Sequence, residues 1–167
     1  GGVAALAREV VERAEALPAK AWDAQAVANL LAGHAYLGSD GRAKVTAVAA
    51  RVLPLLPPLS LRAQEVASLA YSLFRCGASP VTSPEAFQPL LAAVQAIPPG
   101  RSSFGSLSRL ATKLQQAGAL SGGTLTHVAA LVLALPAVAS TVDEAARLLL
   151  SLSRAASAEA AEGAAGG

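Results

Sequence analysis

The 167-residue chain is poor in rings, in sulfur and in long apolar runs, and each shortage removes a class of protein. Only 4% of residues are aromatic against 53% hydrophobic, so the interior must be built from Ala, Leu and Val. Ala and Leu are strong helix formers, while the β-branched and aromatic residues that favour strands are scarce, so an all-α fold is expected. The single cysteine, Cys76, excludes an internal disulfide and a cysteine-based metal cluster. No apolar run reaches the roughly 18 to 20 residues needed to span a bilayer. The best candidate, VAALVLALPAVA (128–139), is short and carries Pro136. A soluble protein without membrane insertion is expected. The chain opens on Gly1-Gly2 rather than on methionine, which leaves room for a targeting peptide that was removed.

Acidic residues are also scarce where it matters. Residues 42–142 hold eight bases (Arg42, Lys44, Arg51, Arg62, Arg75, Arg101, Arg109, Lys113) against two acids (Glu65, Glu85). Each end of the chain carries two excess acids, so the formal net charge of +2 conceals a basic middle. Such a middle attracts polyanions, although solvated arginines on helices are common.

What is present is punctuation. The pairs Leu17-Pro18, Leu56-Pro57, Ile97-Pro98 and Leu135-Pro136 recur at intervals of 39, 41 and 38 residues, and Gly38, Gly77 and Gly118 at 39 and 41. Glycine adopts the left-handed conformation just past a helix end, and proline follows a helix it cannot continue, so both marks read as helix stops. Between them lie two helices per unit. Helix A is predicted at about 22–37, 61–76, 103–117 and 142–155, and helix B at about 3–17, 41–56, 84–97 and 123–135. Asp40 before Gly41, Ser83 before Pro84 and Glu85, and Thr141 three residues before Glu144 are the predicted caps. One helix pair cannot bury its own apolar face, so successive pairs are expected to stack into an α-solenoid with a period of about 38–41 residues. The predicted array is a half repeat at 3–18, repeats at about 21–57, 59–98 and 101–136, and a final helix at 140–155, a layout expected of part of a longer array. Residues 156–167 form a low-complexity tail without apolar periodicity.

Aligned by their stops, the A helices give three core columns: Val27, Val66, Leu107 and Ala145; Leu30, Leu69, Leu110 and Leu148; His34, Leu73, Leu114 and Leu152. His34 fills a leucine slot and reads as a packed histidine. The opposite stripe holds Asn29, Ser68, Arg109 and Arg147; then Gly33, Ser72, Lys113 and Ser151; then Tyr36, Arg75, Gln116 and Arg154. One turn earlier, Gln25 and Gln64 repeat before the column changes to Gly105 and Asp143. Arginine and lysine can hold phosphates, Asn, Ser and Gln can bond base edges, and a ring such as Tyr36 can stack on a base. The candidate RNA-binding set is therefore Asn29, Tyr36, Arg62, Ser68, Ser72, Arg75, Arg109, Lys113, Gln116, Arg147 and Arg154. A merely solvated face would look the same by spacing.

The units LSLRAQEVASLAYSLFRCGA (59–78), AWDAQAVANLLAGHAYLG (21–38) and SSFGSLSRLATKLQQAGA (102–119) resemble the octotricopeptide repeat, and are similar to the related helical repeats beside RAP domains in organellar RNA factors. The resemblance covers residues 3–155. It implies a soluble, non-catalytic RNA-binding protein of the mitochondrion or chloroplast, binding a ribosomal RNA or an organellar transcript beside neighbouring proteins of a ribonucleoprotein. HEAT and armadillo arrays have a similar period and usually bind proteins, so a protein scaffold anchored by Trp22 and Tyr36 is the alternative.

No motif argues for chemistry. There is no phosphate loop with its Lys-Ser/Thr, no His-x-x-x-His pair and no Gly-x-Ser-x-Gly elbow. LSGGTLTH (120–127) lacks a lysine and reads as a turn, and His127 as a first-turn helix residue. A non-enzyme with no cofactor and no metal is expected.

Overall fold

The computed structural model describes residues 2–33, 37–57, 60–136 and 141–165. Among them the chain is all-helical, without strands: α1 (Gly2–Ala16), α2 (Ala24–Ala32), α3 (Ser39–Val52), α4 (Ala63–Arg75), α5 (Pro84–Gln95), α6 (Phe104–Gln116), α7 (Gly122–Leu133) and α8 (Val142–Ala165). Helices two apart in sequence are neighbours in space. The even-numbered helices follow one another in contact, α2 on α4, α4 on α6, α6 on α8, and the odd-numbered helices do the same from α1 to α7. The two rows face each other through α2 with α3, α4 with α5, α6 with α7, and α7 with α8. The even row contains the predicted A helices and the odd row the B helices.

One continuous apolar core lies between the rows. Val27, Val66, Leu107, Leu69, Leu110, Leu73 and Leu114 are fully or almost fully buried, as the column alignment predicts. Each such leucine contributes about 1.5–3 kcal/mol by leaving water. At the row's ends the columns loosen. Leu30, Ala145 and Leu152 are only half-buried, and in α2 the fully buried leucine is Leu31. His34 lies outside the described residues.

Helix ends explain most boundary differences. Gly77 (φ 90°) and Gly118 (φ 68°) are left-handed, as expected of helix stops. Both close the same motif. Gly77 N–H donates to Phe74 O and Ala78 N–H to Leu73 O; Gly118 N–H donates to Gln115 O and Ala119 N–H to Leu114 O. Gly38 departs from the pattern: its φ is −69°, not left-handed, and it is the N-cap of α3. Asp40 accordingly sits inside the first turn of α3, which starts at Ser39, and is no cap. Pro54 has no N–H to continue α3, so the predicted 41–56 helix ends at Val52 and tightens into a 3-10 turn, Leu53–Leu55. Pro84 occupies the first turn of α5 as predicted, but the Ser83 side chain makes no capping bond. Helix α8 passes the expected end at 155 and runs through the alanine-rich tail to Ala165, in keeping with the helix propensity of alanine.

Candidate nucleic-acid interface

The starts of the even-numbered helices align in register. Their N-caps are Asp23, Arg62, Ser103 and Thr141. The second helical residues are then Gln25, Gln64, Gly105 and Asp143, and the third Ala26, Glu65, Ser106 and Glu144. The starts draw on two capping devices, an N-cap oxygen accepting the third residue's N–H and a third-residue glutamate accepting the N-cap N–H. Asp23 accepts the Ala26 N–H at 2.7 Å. Glu65 accepts the Arg62 N–H at 2.7 Å. Ser103 accepts the Ser106 N–H at 3.2 Å. Thr141 and Glu144 bond reciprocally, each at 3.3 Å, which is the capping box predicted from their spacing.

Two grooves open between these starts. The larger, about 560 Å³, lies between the starts of α4 and α6 and the end of α5, with Arg62, Gln64, Arg101, Ser102 and Ser106 on its walls. The smaller, about 300 Å³, lies between α2 and α4, lined by Gln25, Arg62, Gln64, Glu65 and Ser68. Arg62 and Gln64 form the wall common to both.

The predicted RNA-binding residues divide among several surroundings. Arg62 and Ser68 are exposed and line the grooves. Asn29 is exposed, with its Oδ1 accepting the Gln25 amide N–H at 2.9 Å. Arg75 ends α4 and Gln116 ends α6, both exposed; Arg109 on α6 and Arg154 on α8 are exposed as well, and Ser72 is half-buried. Arg62, Arg75, Arg101, Arg109 and Arg154 form no ion pair among the described residues. Lys113 is half-buried, with Nζ 3.4 Å from the centroid of the Tyr71 ring. Arg147 pairs with Asp143 at 3.6 Å. Tyr36 lies outside the described residues.

Ser151, expected on the open stripe, is buried: it donates to Arg147 O and bonds the Thr112 hydroxyl at 3.1 Å. Trp22 is half-buried against the core, and its Nε1 is buried without a partner among the described residues, which makes it a packing residue rather than an exposed anchor. His127 is half-buried, with Nε2 3.3 Å from Ile97 O.

Sequence spacing missed two things. Tyr71 falls between the two stripes, yet it carries Lys113 on its face and lies beside Phe74, with ring centroids 6.3 Å apart. Arg101, Ser102 and Ser103 precede α6, so a reading confined to helical faces omits them; the signal was the basic, serine-rich PGRSS before the helix. Comparison with protein-family models, with curated proteins and with solved structures gives no match. No helix among the described residues is long and apolar enough to cross a membrane.

Proposed function

We propose that the chain is a non-catalytic RNA-binding α-solenoid of the octotricopeptide kind, working in an organelle as part of a ribosome or another ribonucleoprotein. The observation that carries this reading is the even row itself. It joins Arg62, Arg75, Arg109 and Arg154, exposed and without carboxylate partners among the described residues, to exposed Ser68 and Gln116 on successive helices. Cations that no internal acid neutralises are available to phosphates, and the hydroxyl and amide groups between them can bond bases. The alternation of rows supports the solenoid, since each pair uses its neighbours to bury its apolar face.

A second reading, a protein scaffold, draws on the exposed apolar residues at the two ends: Val3, Leu6 and Val10 on α1, and Leu149 and Leu150 on α8. One experiment separates the two. The protein is crosslinked in its native extract, half the sample is treated with ribonuclease, and RNA is sequenced from the other half. One enriched RNA, ribosomal or messenger, crosslinked to the even row supports the proposal. No crosslinked RNA, with partners indifferent to ribonuclease, supports the scaffold. With pure protein, replacing Arg109 and Lys113 by alanine should lower the salt dependence of RNA binding by about 0.7 per lost phosphate contact, and an unchanged slope would remove both from the interface.

A further inference from the structure

We propose that the groove between the starts of α4 and α6 is the seat of the phosphodiester backbone of single-stranded RNA, held between Arg62 and Arg101. This rests on the RNA-binding reading and adds to it the place where the strand lies. Two guanidinium-bearing residues line the cavity and no acidic residue does. The repeat explains that imbalance. The third residue of α4 is Glu65 and that of α8 is Glu144, each using its carboxylate to cap the helix, whereas α6 has Ser106 there. The acid is therefore missing on the α6 side of the groove that both arginines line.

Among the described residues, the hydrogen bonds at that start also leave a donor open. Ser106 N–H donates to Ser103 Oγ, and the Ser103 hydroxyl donates to Ser106 Oγ at 2.9 Å. The chain of bonds ends on Ser106, which lines the groove together with Gln64 and Ser102. A phosphodiester presents two anionic oxygens to paired guanidinium forks and accepts from hydroxyls, which is the chemistry these walls supply. The volume of about 560 Å³ lies within the range of about 300–1,000 Å³ that encloses ligands of drug size. The smaller groove adjoins it through the common wall of Arg62 and Gln64, but Glu65 lines that side, so the phosphate seat is confined to the larger groove.

The test measures anisotropy of a short fluorescein-labelled oligouridylate over a potassium chloride series. The proteins compared are the unaltered chain, R62Q/R101Q, R62K/R101K, and R8Q/K20Q as a charge control on exposed residues away from the groove. Two phosphate contacts predict that R62Q/R101Q lowers the slope of log K against log salt by about 1.4 and the affinity at low salt about tenfold. R62K/R101K should keep the slope and lose several-fold in affinity, because lysine keeps the charge and loses the fork. R8Q/K20Q should leave the slope unchanged. If R62Q/R101Q binds with the unaltered slope, the groove is not the seat, while the RNA-binding reading stands. Equal losses in R8Q/K20Q would show diffuse attraction and overturn the seat. Competition by polyglutamate as strong as by unlabelled RNA would assign the groove to an acidic protein and overturn it too. If the unaltered chain binds no RNA, both the seat and the proposed function fall.

Discussion

Helix α6 has two neighbours in its row, and it meets them differently at their starts. Toward α8 the junction is closed: Glu144 lies against Gly105, Ser108 Oγ donates to Glu144 O at 3.1 Å, and the Thr112 and Ser151 hydroxyls bond at 3.1 Å. Toward α4 the start of the junction is an open groove, and Tyr71 and Lys113 meet nearer the other end of the helices. The residues that differ are equivalent in the repeat. Gly105 meets Glu144 at one junction, whereas Gln64 and Ser106 line the groove at the other. A missing side chain beside a capping acid makes a seam, and a glutamine beside a serine leaves an opening. Apolar columns keep the row together, while the second and third residues of successive even-numbered helices differ between the closed junction and the open one.

The largest expected effect comes from removing what both junctions have in common. Leu110 is fully buried on α6, the helix that contacts both α4 and α8. Leu110→Ala should cost about 2–5 kcal/mol, read from the midpoint of urea unfolding, because the cavity adds to the lost transfer energy. A cost below about 1 kcal/mol would mean that the row is not packed as described.

The next variant converts the open junction toward the closed one. Ser106→Glu places the missing acid three residues after Ser103 and completes a capping box. It should raise stability by about 0.5–1 kcal/mol while adding a negative charge beside Arg62 and Arg101. If the groove holds phosphate, the same variant should lose about tenfold in RNA affinity. Stability and binding would then move in opposite directions, which a variant that merely damaged the fold cannot produce. A stabilised S106E chain with unaltered RNA affinity would break the comparison.

How much of this was legible depends on which physical signal each feature leaves. The core columns Val66, Leu69, Leu73 and Leu107, Leu110, Leu114 follow helical spacing, and a leucine must be buried somewhere, so sequence alone located them. The Gly77 and Gly118 stops were equally legible, because a left-handed residue after a helix selects glycine. Gly38 was not, since glycine also serves as an N-cap and spacing cannot tell the two uses apart. Among the candidate RNA contacts, Arg62, Ser68, Arg75, Arg109, Gln116 and Arg154 are indeed exposed or groove-lining. Lys113 over Tyr71 and Arg147 against Asp143 depend on side-chain directions that a column alignment does not encode. The groove itself needs Arg101 from the segment before α6, and no periodicity extends into that segment.

A double-mutant cycle tests the closed junction. A Cβ on Gly105 would approach Glu144 Oε1 to 2.7 Å, too close unless the carboxylate moves. Glu144→Ala should cost about 0.5–2 kcal/mol through the lost capping box. Gly105→Ala should gain about 0.5–1 kcal/mol of helix propensity in that background and little in the unaltered chain, where the gain is offset by displacing Glu144. Equal effects in both backgrounds would mean that the two residues do not touch.

The smallest effect concerns the equivalent ends of α4 and α6, which close in the same way but differ in the capping residue, Cys76 in one and Ala117 in the other. Burial pushes the Cys76 thiol above its ordinary value, and the charge of Arg42 offsets part of the rise. The folded state thus holds the thiol proton more tightly than the unfolded state. The resulting stability is fully present below the unfolded thiol's pKa and is lost as pH rises through the higher folded value. The thiolate is the nucleophile, so alkylation by iodoacetamide at mildly alkaline pH should be slower in the folded chain than in urea, and slower again in Arg42→Gln. Rates should converge as pH rises past the folded thiol's range. A folded rate equal to the unfolded one would show that the cap of α4 is as open to solvent as a loose end, and that the two helix ends are less alike than their hydrogen bonds imply.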